Sequence, residues 1–130
     1  MTTTTKSPAA RRAARNKRNG ADWEIDLEEG FTAEGYDIAR LHLNGQNDIG
    51  DLVIREEGGV HLVIEAKSGE FKPGTFIGEA ERERVNYATK KGLPNDKVDS
   101  IVIVKRRGHT WRQAYVLTTV EDYFGLDIQS

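Results

Sequence analysis

The stretch Asp51–Gly69, DLVIREEGGVHLVIEAKSG, decides the fold. Two apolar runs, Leu52–Arg55 and His61–Ala66, flank Gly58-Gly59 and predict a β-hairpin. Side chains alternate along a strand, so His61, Val63, Glu65 and Lys67 share one face and Leu62, Ile64 and Ala66 the other. Glu65 and Lys67 thus point the same way, their Cα atoms ~6.6 Å apart. A carboxylate and an ammonium ending an apolar run need a reason. Asp51 opens the preceding strand, and the turn decides whether it joins them. A two-residue Gly58-Gly59 loop sets Asp51 opposite Ala66, on the wrong face. A three-residue loop, Glu57-Gly58-Gly59, or a bulge sets it opposite Glu65. The odd-length loop or bulge is the expectation.

Two carboxylates brought together resist ionising together, and a divalent cation removes the conflict. All-oxygen ligands select a hard ion, Mg²⁺ or Mn²⁺. A lysine beside such an ion can hold an attacking water or neutralise a phosphoryl group. A bare Glu-x-Lys is more often a solvated surface pair. Here it sits at the end of an apolar run, opposite an aspartate, in a chain with two basic zones.

The basic zones emerge from the charge distribution. The chain has 130 residues, 19 basic and 21 acidic, and a net charge of −2. The first twenty residues contain Lys6, Arg11, Arg12, Arg15, Lys17 and Arg18 and no acid, so they carry +6 and the remainder −8. Lys105, Arg106, Arg107 and Arg112 gather in a second acid-free stretch between Asp99 and Glu121. A polyanion feels the local patch more than the total, because charges are screened over about 8 Å at physiological salt. Either zone could be mere strand-end or tail solvation; together they suggest DNA.

The length suits one domain. Residues 1–19 are expected to form a basic, flexible arm or short helix, and residues 20–130 a single domain. The absence of cysteine excludes disulfides and thiolate metal sites. No window approaches the ~18 apolar residues of a membrane span, and the basic start lacks the apolar core of a secretory signal.

Outward from the hairpin, Trp23, Leu27 and Phe31 recur at four-residue steps and predict a helix after Gly20, ended by Gly30 or Gly35. Glu24 lies on a row adjoining that face. Residues 36–45 alternate as a half-buried strand. Residues 68–78, with Pro73, read as an irregular connection. Residues 79–91 read as a polar helix ended by Gly92, with Ala80, Tyr87 and Ala88 inward. Residues 100–107 and 113–119 read as strands. Thr118 and Glu121 have capping-box spacing before a short helix through Phe124.

Gly50-Asp51, thirteen intervening residues, then Glu65-Ala66-Lys67 resembles the PD-(D/E)XK nuclease motif. With Glu24 on the preceding helix, residues 17–119 are similar to the archaeal and phage Holliday junction resolvases of that superfamily. The resemblance implies an α/β, restriction-endonuclease-like core with a mixed sheet of about five strands flanked by helices. It implies Mg²⁺-dependent phosphodiester hydrolysis, with Mn²⁺ as a substitute, leaving a 5′-phosphate and a 3′-hydroxyl. Asp51, Glu65 and the Ala66 carbonyl would bind the metal. Lys67 would position the water, and Glu24 would be a further acid. DNA contacts would fall to Arg11, Arg12, Arg15, Lys17, Arg18, Lys105, Arg106, Arg107 and Arg112. The partners implied are a four-way DNA junction and a second copy of the chain, in the cytoplasm of a prokaryotic or phage-infected cell. Nucleases acting on flaps, duplex or single strands share the motif, and a non-catalytic DNA-binding module is the remaining alternative.

Two departures stand out. Gly50 occupies the place of the motif proline. The polar residue that relatives often carry on the next helix has no single counterpart among Glu81, Arg84 and Asn86. Asp48 offers a supporting or alternative carboxylate. His42, His61 and His109 have no metal-ligand spacing, and His61 shares the face of Glu65. Trp111, among arginines, could stack on an unpaired base or pack a strand turn. Phe76 and Tyr87 fit the core better than a dimer contact.

Overall fold

The computed structural model describes residues 8–41 and 48–126, with side chains from Gly20 onward. His42 and the side chains of Arg11, Arg12, Arg15, Lys17 and Arg18 lie outside the described residues.

The chain forms α1 (Pro8–Ala33), β1 (Ile38–Arg40), β2 (Leu52–Arg55), β3 (His61–Lys67), α2 (Pro73–Lys91), β4 (Val98–Val104), β5 (Tyr115–Leu117) and α3 (Val120–Phe124). One five-stranded sheet has the order β1-β2-β3-β4-β5. β3 and β4 are parallel, with α2 as their crossover, and the other neighbours are antiparallel. The mixed sheet thus follows from one helical crossover between two meandering edges.

The hairpin has the odd-length turn. Glu56 donates its amide to the Val60 carbonyl at 2.8 Å, around Glu57–Gly59. Gly58 and Gly59 take φ of 81° and 77°, a region open to glycine. Leu52 pairs with Ile64 and Arg55 with His61, which sets Asp51 opposite Glu65.

The two sheet faces are covered separately. Trp23 and Leu27 of α1 pack on Leu52, Ile54, Ile64 and Ile103. The Trp23 indole N–H donates to the Ile103 carbonyl at 3.3 Å. On the other face, Tyr87 and Ala88 of α2 pack on Val53, Val63 and Val98, while Phe76 and Ala80 pack on Val102 and Val104. Phe76 and Tyr87 are therefore core residues, and truncating either to Ala would cost about 3–5 kcal/mol.

Several sequence expectations are corrected. α1 runs through Gly20; an interior glycine costs about 1 kcal/mol relative to Ala but does not break a helix held by packing. α2 begins at Pro73, six residues before the expected start. Proline is pre-organised for the first helical turn, where its missing N–H is no loss. The α3 cap is Thr119, whose hydroxyl accepts from the Asp122 amide at 3.1 Å, one residue later than the Thr118–Glu121 spacing implied. The strand expected over residues 36–45 is described only as Ile38–Arg40.

Candidate metal centre

The carboxyl end of β3, the start of β2 and the middle of α2 meet at one end of the sheet. Glu65 is buried, 6% exposed, on the face that α2 covers. The Lys67 ammonium lies 3.2 Å from Glu65 Oε1 and 2.5 Å from Glu79 Oε2, and 5.1 Å from the Phe76 ring centroid. Burial works against the Lys67 charge, but the Glu79 hydrogen bond and the Glu65 pair outweigh it and hold the pKa above its ordinary value.

Asp51 turns toward Glu65. Its Oδ2 accepts the Ala66 amide at 2.8 Å, and its own amide donates to the Ile64 carbonyl at 3.1 Å. The Lys67 carbonyl accepts from the Lys105 amide, so β3 presents Lys67 to β4 and Ala66 to the β2 side. Within a strand the N–H and C=O of one residue share an edge, so the Ala66 carbonyl faces the same side as Asp51. Burial, and then the neighbouring Glu65, push the Asp51 carboxyl up to about 8; the Ala66 amide opposes this.

Gly50 shapes this corner. Its φ is 102°, and a Cβ there would meet Val63 Cγ1 at 2.5 Å. Proline is confined near φ −65°, so the motif proline cannot occupy this backbone. Asp48 Oδ1 accepts the Gly50 amide at 2.9 Å, and the Asp48 carbonyl accepts from Asn86 Nδ2 at 2.9 Å. Asp48 and Asn86 thus hold the loop that delivers Asp51.

Glu24 stands on the α1 face, 3.7 Å from Arg40. Its pKa is raised, first by burial; Arg40 opposes the rise, and Glu65 adds to it. Glu24 therefore borders the carboxylates with a basic partner of its own.

Two acids were missed by sequence reasoning. Carboxylate oxygens of Glu65, Glu79 and Glu83 lie within 4.8 Å of one another. Glu83 is only 4% exposed, and burial followed by Glu65 pushes it up to about 11. Phe76, Ala80, Glu83 and Tyr87 form one inward stripe at helical spacing, a signal available once α2 starts at Pro73. Of Glu81, Arg84 and Asn86, the first two pair with each other at 2.6 Å, and Asn86 supports the Asp48 loop.

The donor set fits a hard divalent cation. It is all oxygen, and among the described residues Glu65 Oε2 and Glu83 Oε2 are buried without a hydrogen-bond donor, the two carboxylates facing one another. The acids Glu24, Asp48, Asp51, Glu65, Glu79 and Glu83 outnumber the nearby cations Arg40 and Lys67.

The basic strand end lies beside this site, since Lys105 follows Val104, the partner of Lys67. The Lys105 ammonium is 5.9 Å from the Trp23 ring centroid, and the Arg106 guanidinium 5.5 Å from that of Tyr115. Arg112 is paired with Glu34 at 3.2 Å. Trp111 packs on the backbone of Gly30, where a Cβ would meet the indole, and its ring centroid is 4.9 Å from that of Phe31. Its packing role is thereby accounted for. His61 bonds the Tyr87 hydroxyl at 2.6 Å, at the far end of β3 from Glu65.

No protein-family model and no curated protein sequence matches the chain. Among solved structures, it is similar to Hjc of Archaeoglobus fulgidus, a Holliday junction resolvase from an archaeal hyperthermophile. The TM-score is 0.50 at 19% identity, over 74% of this chain and 72% of that one. The chain has the restriction-endonuclease-like fold of that neighbour: a mixed five-stranded sheet with helices on both faces.

Proposed function

We propose that the chain is a divalent-metal-dependent endonuclease of the PD-(D/E)XK type, acting on branched DNA and most specifically on four-way junctions. The observation that carries this reading is the meeting of Asp51 and Glu65 from paired strands, with the Lys67 ammonium 3.2 Å from Glu65. The fold shared with a resolvase supports it.

Asp51, Glu65 and the Ala66 carbonyl would hold Mg²⁺ or Mn²⁺, which when bound polarises a phosphodiester and acidifies a water. Lys67 keeps its proton and sets a fixed positive charge where negative charge grows on the phosphoryl oxygens. Phe76 and Glu79 restrict its side chain, so little ordering remains for the moment of reaction. Glu24, oriented by Arg40, borders the site as a further acid.

Lys105, Arg106 and Arg107 lie at the same sheet end and would meet the sugar-phosphate backbone, with Arg11, Arg12, Arg15, Lys17 and Arg18 extending that contact. Arg112 would first have to leave Glu34. Such contacts recognise shape and charge rather than base sequence. Cutting two strands of a junction symmetrically needs two identical sites, hence a dimer of this chain.

Synthetic four-way junction, flap, duplex and single-stranded DNA, incubated side by side with Mg²⁺ or chelator, test the reading. Metal-dependent cutting of the junction is expected, falling about 10²–10³-fold in Lys67→Ala and at least as far in Glu65→Ala. Undiminished cutting by either variant would sink the assignment. Cutting of flap or duplex alone would keep the chemistry and replace the substrate.

A further inference from the structure

We propose that Tyr115 and Phe71 form a stacking platform for an unpaired base of the bound DNA strand, close to Lys67. The inference takes its ligand, DNA, from the function proposed above, and it adds two aromatic residues that the metal site does not use.

Both rings stand in solvent on the face that α2 covers. Tyr115 is 53% and Phe71 55% exposed, whereas Phe76 on the same face is buried. Lys67, Val104 and Tyr115 occupy one rung of three neighbouring strands, and a rung keeps its side chains on one face. Strands lie about 4.8 Å apart, so the Tyr115 Cα stands ~10 Å from that of Lys67. Phe71 approaches the same ammonium from the loop ahead of α2. Its ring centroid is 6.3 Å from that of Phe76, which in turn lies 5.1 Å from the Lys67 ammonium. A stacked DNA strand advances about 3.4 Å per nucleotide, so the rings fall within roughly three nucleotides of a phosphate held at Lys67.

The charges around the rings select the ligand. The Arg106 guanidinium is 5.5 Å from the Tyr115 ring centroid, and Lys67 stands on the same rung. Glu70, the acid next to Phe71, is paired with Lys72 at 3.8 Å. A protein partner seated here would bury these cations, and charged residues are depleted at the cores of protein interfaces. A DNA strand suits them, because its phosphates meet the cations while its bases meet the rings. Inside a duplex both faces of a base are covered by its neighbours, so the platform accepts only a base that has left the stack. Every base offers a π face, so the platform favours unpaired DNA without favouring a sequence.

Binding in chelator, where no strand is cut, isolates the platform. Fluorescence anisotropy of the full chain on a single-stranded oligonucleotide and on the matching blunt duplex gives a ratio of two affinities. Tyr115→Ala should lower the single-strand affinity about 5–150-fold and change the duplex affinity by less than about twofold. Phe71→Ala should act in the same direction, and Tyr115→Phe, which keeps the ring, should keep the parent ratio. Both residues are exposed, so these variants keep the fold. A 2-aminopurine within the single strand should change its emission on binding the parent and not on binding the variant with both alanines. An unchanged ratio in that double variant, or an equal loss on both DNAs, overturns the platform. So does a Tyr115→Ala chain that changes its mass in solution and keeps the parent ratio, since the ring would then serve a second copy. A parent chain with the expected ratio that cuts no DNA in Mg²⁺ would sink the nuclease reading and leave the platform standing. A chain that cuts junctions while the double variant keeps the ratio would do the reverse.

Discussion

The Asp51 carboxylate accepts the Ala66 amide at 2.8 Å, across the last rung of the β2–β3 hairpin. A side chain here does what a backbone carbonyl does elsewhere in the ladder. The bond fixes one oxygen of Asp51 and places the carboxylate against Glu65. It also makes the acid answerable to the hairpin register, because a one-residue slip would present Asp51 to the opposite face.

The metal-free protein should lose stability as pH rises from about 4, first through the range of Asp51 and then on through that of Glu83. Asp51 has an ordinary value of 3.8 and a folded-state value of about 8, so between these the folded chain holds a proton that the unfolded chain has released. Stability falls with pH wherever the folded state binds more protons. Urea midpoints in chelator should therefore decrease across this range. Asp51→Asn should reduce the slope and leave the part that Glu83 contributes, and Mg²⁺ should restore stability most at the alkaline end. A midpoint that rises with pH would contradict the burial of this acid pair.

Gly50→Ala should destabilise the chain by about 1–3 kcal/mol, from a strained φ and overpacking together. The Cβ meets Val63 Cγ1 at 2.5 Å, and φ is 102°. Adding Val63→Ala should remove the clash but not the backbone strain, so the double variant recovers less than a simple steric account predicts. Gly50→Pro should be worse than Gly50→Ala. Thermal denaturation of the three variants checks the order.

Gly30→Ala reverses a helix-propensity expectation. Within a helix, alanine is favoured over glycine by about 1 kcal/mol. Here the added Cβ would meet Trp111 Cε2. The substitution should lower the melting temperature and move Trp111 fluorescence toward that of exposed indole. A raised melting temperature would mean that Trp111 does not rest on α1.

Deleting residues 1–19 should weaken DNA binding and make it less salt-sensitive. Six basic residues lie in this stretch. Each phosphate they neutralise contributes about 0.9 to the slope of log affinity against log salt. An unchanged slope, measured by fluorescence anisotropy on a labelled junction, would remove the segment from the interface.

Much of the hairpin was legible. Alternation assigned Glu65 and Lys67 to one face, and the Gly58-Gly59 turn limited the register to two choices. Of the expected three-residue loop or bulge that sets Asp51 opposite Glu65, the loop is the one found. The helix at Trp23 and Leu27 was legible because large apolar side chains recur at helical spacing. α2 was less so. Reading Pro73 as a breaker hid the first turns, and without Phe76 the stripe through Ala80, Glu83 and Tyr87 has no visible start.

The sequence by itself determined which residues alternate, which spacings are helical and where charge concentrates, because these depend on local backbone geometry. Tertiary structure alone decided that Glu79 and Glu83 face Glu65, that Gly50 must lack a Cβ, and that Trp111 lies on Gly30. Each of those depends on how closely two elements approach, and that distance is set by packing between segments far apart in the chain.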